Sequence, residues 1–195
     1  PGQSATGGGG SGGGFVKSTI TVVPGTIYNL FIGSGGDGSE STFNNGSSSW
    51  FINNSSILAI GGNGASLFAV ATNGFGSAAP TAGNIGGTLV STYGGSGGTS
   101  TSTTSDSGGG GSSAGNSGGN NASAHVGGTA PPNGYVGANG INTNGVQGNP
   151  GGIGAGGSGA KKGTGSSSPN GGLGGNGQIK ITYTCPTSYS AGPNQ

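Results

Sequence analysis

Gly145-Val146-Gln147-Gly148-Asn149-Pro150-Gly151-Gly152-Ile153-Gly154-Ala155-Gly156-Gly157 places a glycine at every third position, and Gly163 continues the register beyond Ala160. Shorter runs keep the same spacing at Gly134, Gly137, Gly140 and at Gly171, Gly174, Gly177. A bare Cα every third residue leaves one edge of an extended, three-residues-per-turn helix without side chains. Neighbouring backbones can then approach closely enough to hydrogen-bond laterally. The spacing predicts packed extended helices of polyglycine-II type, with a core of backbone rather than side chains.

A flexible Gly/Ser linker and a collagen-like helix are the two competing expectations. Disordered tracts usually carry high net charge. This chain has four Lys, no Arg and three acidic residues, and readable β segments flank its glycine field. Collagen needs Pro-rich positions between its glycines, and only Pro150 falls within 145–163.

Glycine supplies 54 of 195 residues and apolar side chains only 27 %, too few for a conventional core along the whole chain. Four Lys without clustering cannot neutralise a phosphate track, which argues against nucleic-acid binding. Lys161-Lys162 reads as a loop tip. No apolar run is long enough to span a bilayer as a helix, so no membrane insertion is expected. The sequence begins at Pro1 and contains no Met, as expected of a processed product or a piece of something longer. Cys185 has no second cysteine here, and any disulfide partner is expected downstream.

The expected fold is mostly β and irregular, a small antiparallel sheet joined to packed extended glycine helices, with no α-helix. It divides into a glycine-rich domain over 1–184 and a linker to a next module over 185–195. Within the domain, 15–72 is the β-rich part, 83–177 the glycine field and 178–184 a closing strand. Phe15–Val23 and Ile27–Ile32 alternate as two strands joined by a type II turn at Pro24-Gly25, a predicted hairpin. Ser41–Phe43, Trp50–Ile52, Ile57–Ile60 and Leu67–Val70 read as further short strands, with a turn over 61–64. Trp50 and most of the Phe lie in this half, which is where a side-chain core is expected. Polar clusters at 99–107 and 112–123 read as loops between glycine rods. Ile179, Ile181 and Tyr183 alternate with polar residues and are expected to pair with the hairpin.

Catalytic chemistry has little material. Asp106 and His125 lie at least 66 positions from Asp37 and Glu40, and none has a strong partner in sequence. One His cannot make a zinc site. A loop Asp37-Gly38-Ser39-Glu40 could hold Ca²⁺ through two carboxylates and carbonyls, against the simpler reading of a solvated turn. Residues 33–38 satisfy G-x-G-x-x-G, but no βαβ unit follows, which excludes dinucleotide binding. The expectation is a non-enzyme without catalytic residues, cofactor or metal.

The order of parts is then familiar. Gly12 to Phe15, Pro24-Gly25, Ile32-Gly33-Ser34-Gly35-Gly36, Ser41-Thr42-Phe43 and the closing Gly175-Asn176-Gly177 with Gln178–Tyr183 resemble the glycine-rich domain of phage tail fibres and large bacterial surface proteins. The resemblance covers residues 7–184. It implies polyglycine-II helices packed in a sandwich, with contacts made by the intervening loops. Thr184-Cys185-Pro186-Thr187 and Ala191-Gly192-Pro193-Asn194-Gln195 are similar to module junctions of repetitive Bacteroidota surface proteins exported by type 9 secretion, some of them gliding adhesins.

The expected function is thus a non-enzymatic structural and adhesive module of a large secreted cell-surface protein, outside the bacterial cell. The tip of a phage tail fibre on a virion is the alternative. Ice binding is a third, weakened by the irregular clustering of Thr99, Thr101, Thr103 and Thr104. Tyr93, Tyr135, Thr101, Thr103, Asn120 and Asn121 are the candidate contact residues, because loops carry recognition and Tyr adds contact area at little entropy cost. Expected partners are surface glycans or neutral polymers, other modules of the same polypeptide, and secretion-system components.

Overall fold

The computed structural model describes residues 4–38, 44–65, 75–165 and 167–184. The expected strands at Ser41–Phe43 and Leu67–Val70, Glu40, Cys185 and the linker over 185–195 lie outside them. Among the described residues there is no α-helix. The short strands are β1 (Ala5–Thr6), β2 (Phe15–Lys17), β3 (Leu30–Phe31), β4 (Ser49–Phe51), β5 (Ile57–Ala59), β6 (Val90–Thr92) and β7 (Lys161–Lys162). They form three small antiparallel sheets: β1 with β7, β2 with β6, and β3-β4-β5. Most of the chain is irregular by this measure.

The centre is made of three extended segments, 5–14, 107–115 and 154–161, whose residues are almost all buried. They contain no large apolar side chain in the interior. The buried hydrophobic residues are Ala5, Ala114, Ala138, Ala155 and Ala160. What joins the segments is a repeating set of peptide hydrogen bonds. Gly7, Gly10 and Gly13 donate to the carbonyls of Ala160, Gly157 and Gly154 at 2.8–2.9 Å. Gly108, Gly111 and Ala114 donate to Gly7, Gly10 and Gly13. Gly156 and Gly159 donate to Gly111 and Gly108, closing a cycle of donors and acceptors among the three. In each set the partners advance by three residues, so successive peptide groups point to different neighbours.

The intervening donors of 7–14 go elsewhere. Gly9 and Gly12 donate to Gly98 and Gly95, while Ser11 and Gly14 donate to Asn63 and Ile60. Farther out, Gly145, Gly148, Gly151 and Gly154 donate to Lys161, Asn170, Leu173 and Asn176. Such bonds need backbones in contact, and glycine is what permits it. A Cβ on Gly12 would lie 1.8 Å from the Ser112 carbonyl oxygen, and one on Gly110 1.9 Å from that of Gly156.

Several expectations are corrected. The Pro24-Gly25 turn is present, with Thr26 N–H donating to Val23 at 3.1 Å and Gly25 at φ 81°. Its two arms nevertheless do not pair as a hairpin: β2 pairs with β6, and β3 pairs with β4. The expected Pro-Gly hairpin lost because each arm finds a partner that a local turn does not supply. Residues 61–63 are not a turn but an extended segment receiving bonds from 11 and 46. Residues 112–115, assigned to a loop, belong to the buried centre. Residues 178–184, expected as a closing strand, lie in no ladder among the described residues. The aromatic residues of the first half form a half-exposed layer rather than a core: Phe31 stacks on Trp50 at 5.9 Å and Tyr28 on Phe51 at 6.1 Å.

Adding a methyl group where backbones touch should therefore cost more than adding one in the open. Gly165 has φ 79° and nothing within 4 Å of its would-be Cβ. Gly165→Ala is expected to cost about 1 kcal/mol, from the left-handed backbone alone. Gly110→Ala must push two segments apart and is expected to cost roughly 3 kcal/mol or more. Urea denaturation of the two variants checks the order; equal losses would contradict a core held by backbone contact.

Candidate functional site

The residues predicted to contact a ligand are not brought together. Tyr93 and Tyr135 lie near one end of the central segments. The Tyr93 carbonyl accepts from Gly119 and the Tyr135 carbonyl from Ser113. Thr101 and Thr103 lie at the opposite end, in a loop anchored where Ser107 meets Ile141. The eight residues of 7–14 separate the two ends, about 20 Å of extended chain. Tyr135, at 38 % exposure, donates its hydroxyl to Gln178 Oε1 at 3.2 Å. Thr101 Oγ1 donates to Ser105 Oγ at 3.0 Å.

Asn120 and Asn121 serve the scaffold. Asn120 Nδ2 donates to the Thr129 carbonyl, and Asn121 Oδ1 accepts the Ser96 N–H at 2.8 Å. Asn45, Asn84, Asn139 and Asn176 likewise accept the N–H of Gly64, Ile60, Gly127 and Gly35. An Asn amide carries the same carbonyl as a peptide, so at the periphery it replaces a missing neighbouring backbone. Serine does this inside. The hydroxyls of Ser11, Ser107, Ser112, Ser113 and Ser158 accept from Asn63, Ile141, Asn120, Tyr135 and Asn149 at 2.7–2.9 Å. Sequence reasoning assigned these residues no such role. For Ser11 and Ser158 the one signal was a serine flanked by glycine, in Gly10-Ser11-Gly12 and Gly157-Ser158-Gly159.

Charged groups are sparse. Asp37 is exposed, and Glu40, its proposed Ca²⁺ partner, lies outside the described residues. His125 Nδ1 stands 3.9 Å from Asp106 Oδ2, both partly exposed, the one approach of a basic side chain to a carboxylate within 4 Å among the described residues. Among those residues no three His, Cys, Asp or Glu side chains cluster as a metal site would require. Lys161 is a buried β7 residue rather than a loop tip. Its ammonium donates to the carbonyls of Thr104 at 2.9 Å and Asn142 at 3.0 Å, fastening the 99–107 loop to the end of the glycine segments. Thr6 Oγ1 holds the same loop, donating to the Ser102 carbonyl and meeting Ser100 Oγ at 2.5 Å.

One concave feature is a cavity of about 850 Å³. One part is walled by glycine segments, including Gly10, Gly36, Gly46, Gly62, Gly157 and Gly174. The other runs between Phe15, Ile20 and Val22 on one side and Ile179, Ile181 and Tyr183 on the other. Val22, Ile181 and Tyr183 are 52, 58 and 79 % exposed. The segments expected to pair thus line the same cavity without bonding to one another.

A family comparison bears on this architecture. The chain matches the family described as glycine-rich domain over residues 1–193. It belongs to that family. No curated protein and no solved structure shows significant similarity to this glycine-rich domain. No helix among the described residues is long and apolar enough to cross a membrane.

Replacing Lys161 by Met keeps the stem and removes two charge-assisted hydrogen bonds. Lys161→Met should lower stability by about 2 kcal/mol and speed amide exchange in 99–106. Asp106→Asn, which removes only an exposed pair, should change stability by less than about 0.5 kcal/mol. Denaturation and hydrogen exchange on the two variants test this ranking.

Proposed function

We propose that this glycine-rich domain is a non-enzymatic structural module of a large secreted bacterial cell-surface protein, built from packed polyglycine-II-type segments and working outside the cell. The observation that carries the reading is the three-residue advance of peptide hydrogen bonds among 5–14, 107–115 and 154–161. Three-residue periodicity with lateral bonding is what polyglycine-II packing requires, since successive peptide groups point 120° apart on a threefold helix. A body of this kind is stiff without a large apolar core, because each segment is fixed by neighbours on several sides. Stiffness suits a module that spaces or presents other parts of a long polypeptide.

Adhesion, where this module contributes to it, falls to the end bearing Tyr93 and Tyr135. The amides of Asn120 and Asn121 are engaged in holding the backbone and are removed from the list of contact residues. With few charges, the suited ligands are neutral glycans or polymers. Export by type 9 secretion, and a part in gliding, are the finer terms of the same proposal and rest on the junction-like residues near 185–195.

Glycan arrays and whole-cell attachment test the assignment. The isolated domain is expected to bind neutral glycans weakly, with less than a twofold change between 50 and 500 mM salt, roughly the range over which screening removes long-range charge effects. Tyr93→Ala with Tyr135→Ala should abolish that binding. Absence of binding, while the intact parent polypeptide adheres, assigns the module to spacing alone. Turnover of a substrate by the isolated domain would overturn the proposal.

A further inference from the structure

Six extended segments close a ring around the glycine-walled part of the cavity, each bonded to the next. Ser11 and Gly14 donate to Asn63 and Ile60, Gly46 donates to Gly62, and Ser47 donates to Ser34. Gly174 donates to Gly36, Gly172 and Gly175 donate to Ser158 and Ala155, and Gly10 donates to Gly157, which completes the circuit. The middle of a ring of six mutually bonded extended chains has room for a seventh. The glycines on its wall carry a second sign. A Cβ on Gly10, Gly46 or Gly171 would find its nearest atom 3.4, 3.4 or 3.6 Å away, ordinary contact, whereas glycines between touching segments leave about 2 Å. Nothing among the described residues demands glycine at those three positions. A backbone lying in the ring would demand it.

The hydrogen-bonding groups agree. The N–H groups of Gly36, Gly62 and Gly157 border the cavity and have no hydrogen-bond partner among the described residues. Beyond the ring, the backbone of 19–22 and of 178–184 likewise makes no bond to another described segment, and both edges flank the apolar part of the same cavity. Two stretches of unpaired backbone lining one slot can accept a strand between them.

We propose that this cavity seats an extended peptide segment donated by a partner polypeptide. Inside the ring the segment is glycine-rich, since Cβ atoms would meet the wall. Between Ile20 and Ile181 it is a β-strand with apolar residues alternating, pairing with both open edges and covering Val22, Ile181 and Tyr183. Lys17 and Lys180 border the slot and favour an acidic residue on the strand's polar face. The segment spans about a dozen residues, given roughly 3.1–3.4 Å per residue in the two parts. A rounded small molecule would leave the lined-up N–H groups and both edges unpaired.

The test uses the whole chain and a synthetic peptide of five alternating Val and Glu residues followed by seven glycines. Calorimetry is expected to give one peptide per chain, and hydrogen exchange at least tenfold slower at Gly36, Gly62, Gly157 and Ile181. The chain variant Gly46→Ala places a methyl group at ordinary contact distance, so its unliganded melting temperature should match the parent's within error while peptide affinity falls at least tenfold. Gly171→Ala serves as a second variant of the same kind. Undiminished peptide binding by both variants would overturn the proposal, as would protection confined to other residues. Failure of the peptide to bind overturns it as well. Self-association that protects the same amides would assign the slot to a second copy and overturn the partner.

Discussion

Peptide groups can serve as a core only if nothing stands between them. Everything in this chain follows from that steric condition. The segments 5–14, 107–115 and 154–161 lie close enough for N–H to O=C bonds of 2.8–3.0 Å, a spacing that leaves no place for a Cβ at the contact points. Glycine loses more conformational freedom on ordering than any other residue. That cost is offset by dense hydrogen bonding among buried groups, where an unmade bond is expensive. No buried side-chain polar atom among the described residues is left without a partner.

The other small residues occupy places this condition leaves open. Serine and asparagine supply acceptors where the next backbone is absent, serine in the interior and asparagine at the periphery. Alanine fills the gaps, as Ala114, Ala155 and Ala160 do. Lys161 shows the same economy at a segment end, where its ammonium gathers carbonyls that have no N–H to receive. The Ser and Asn richness that reads as linker composition is here the hydrogen-bonding complement of glycine. The apolar side chains lie mostly at the edge, in β3-β4-β5 and around the open slot, and the aromatic stacks cover a sheet rather than fill a centre.

The strands β2 to β5 and the Pro24-Gly25 turn were legible because they depend on neighbours in sequence: alternation, β-branching and a Gly that takes φ 81°; β1, β6 and β7, in stretches read as glycine-rich or as a loop tip, were not. Strand pairing was not. A turn brings two arms close, but pairing goes to whichever edge offers the most bonds, and for Phe15–Lys17 that edge lies 73 to 77 positions away, as the Phe15↔Thr92 and Lys17↔Val90 register shows. Residues 112–115 read as a loop because Ser112-Ser113 is polar, although both hydroxyls are spent on bonds from Asn120 and Tyr135. The contact residues chosen by type were scattered over two ends for the same reason: residue type gives a chemistry but no address.

The sequence by itself determined that no side-chain core could form and that bare backbone recurs every third residue, because composition and spacing are local and steric. Tertiary structure alone decided which segments are neighbours, which serines face inward, and that six segments enclose a space while Ile20 and Ile181 line its apolar part without pairing. Glycine carries no side chain to distinguish one partner from another, so a register of glycines states that a segment will be packed against without stating against what. That choice is made by the closed cycles of hydrogen bonds, which exist only when all the segments are in place together.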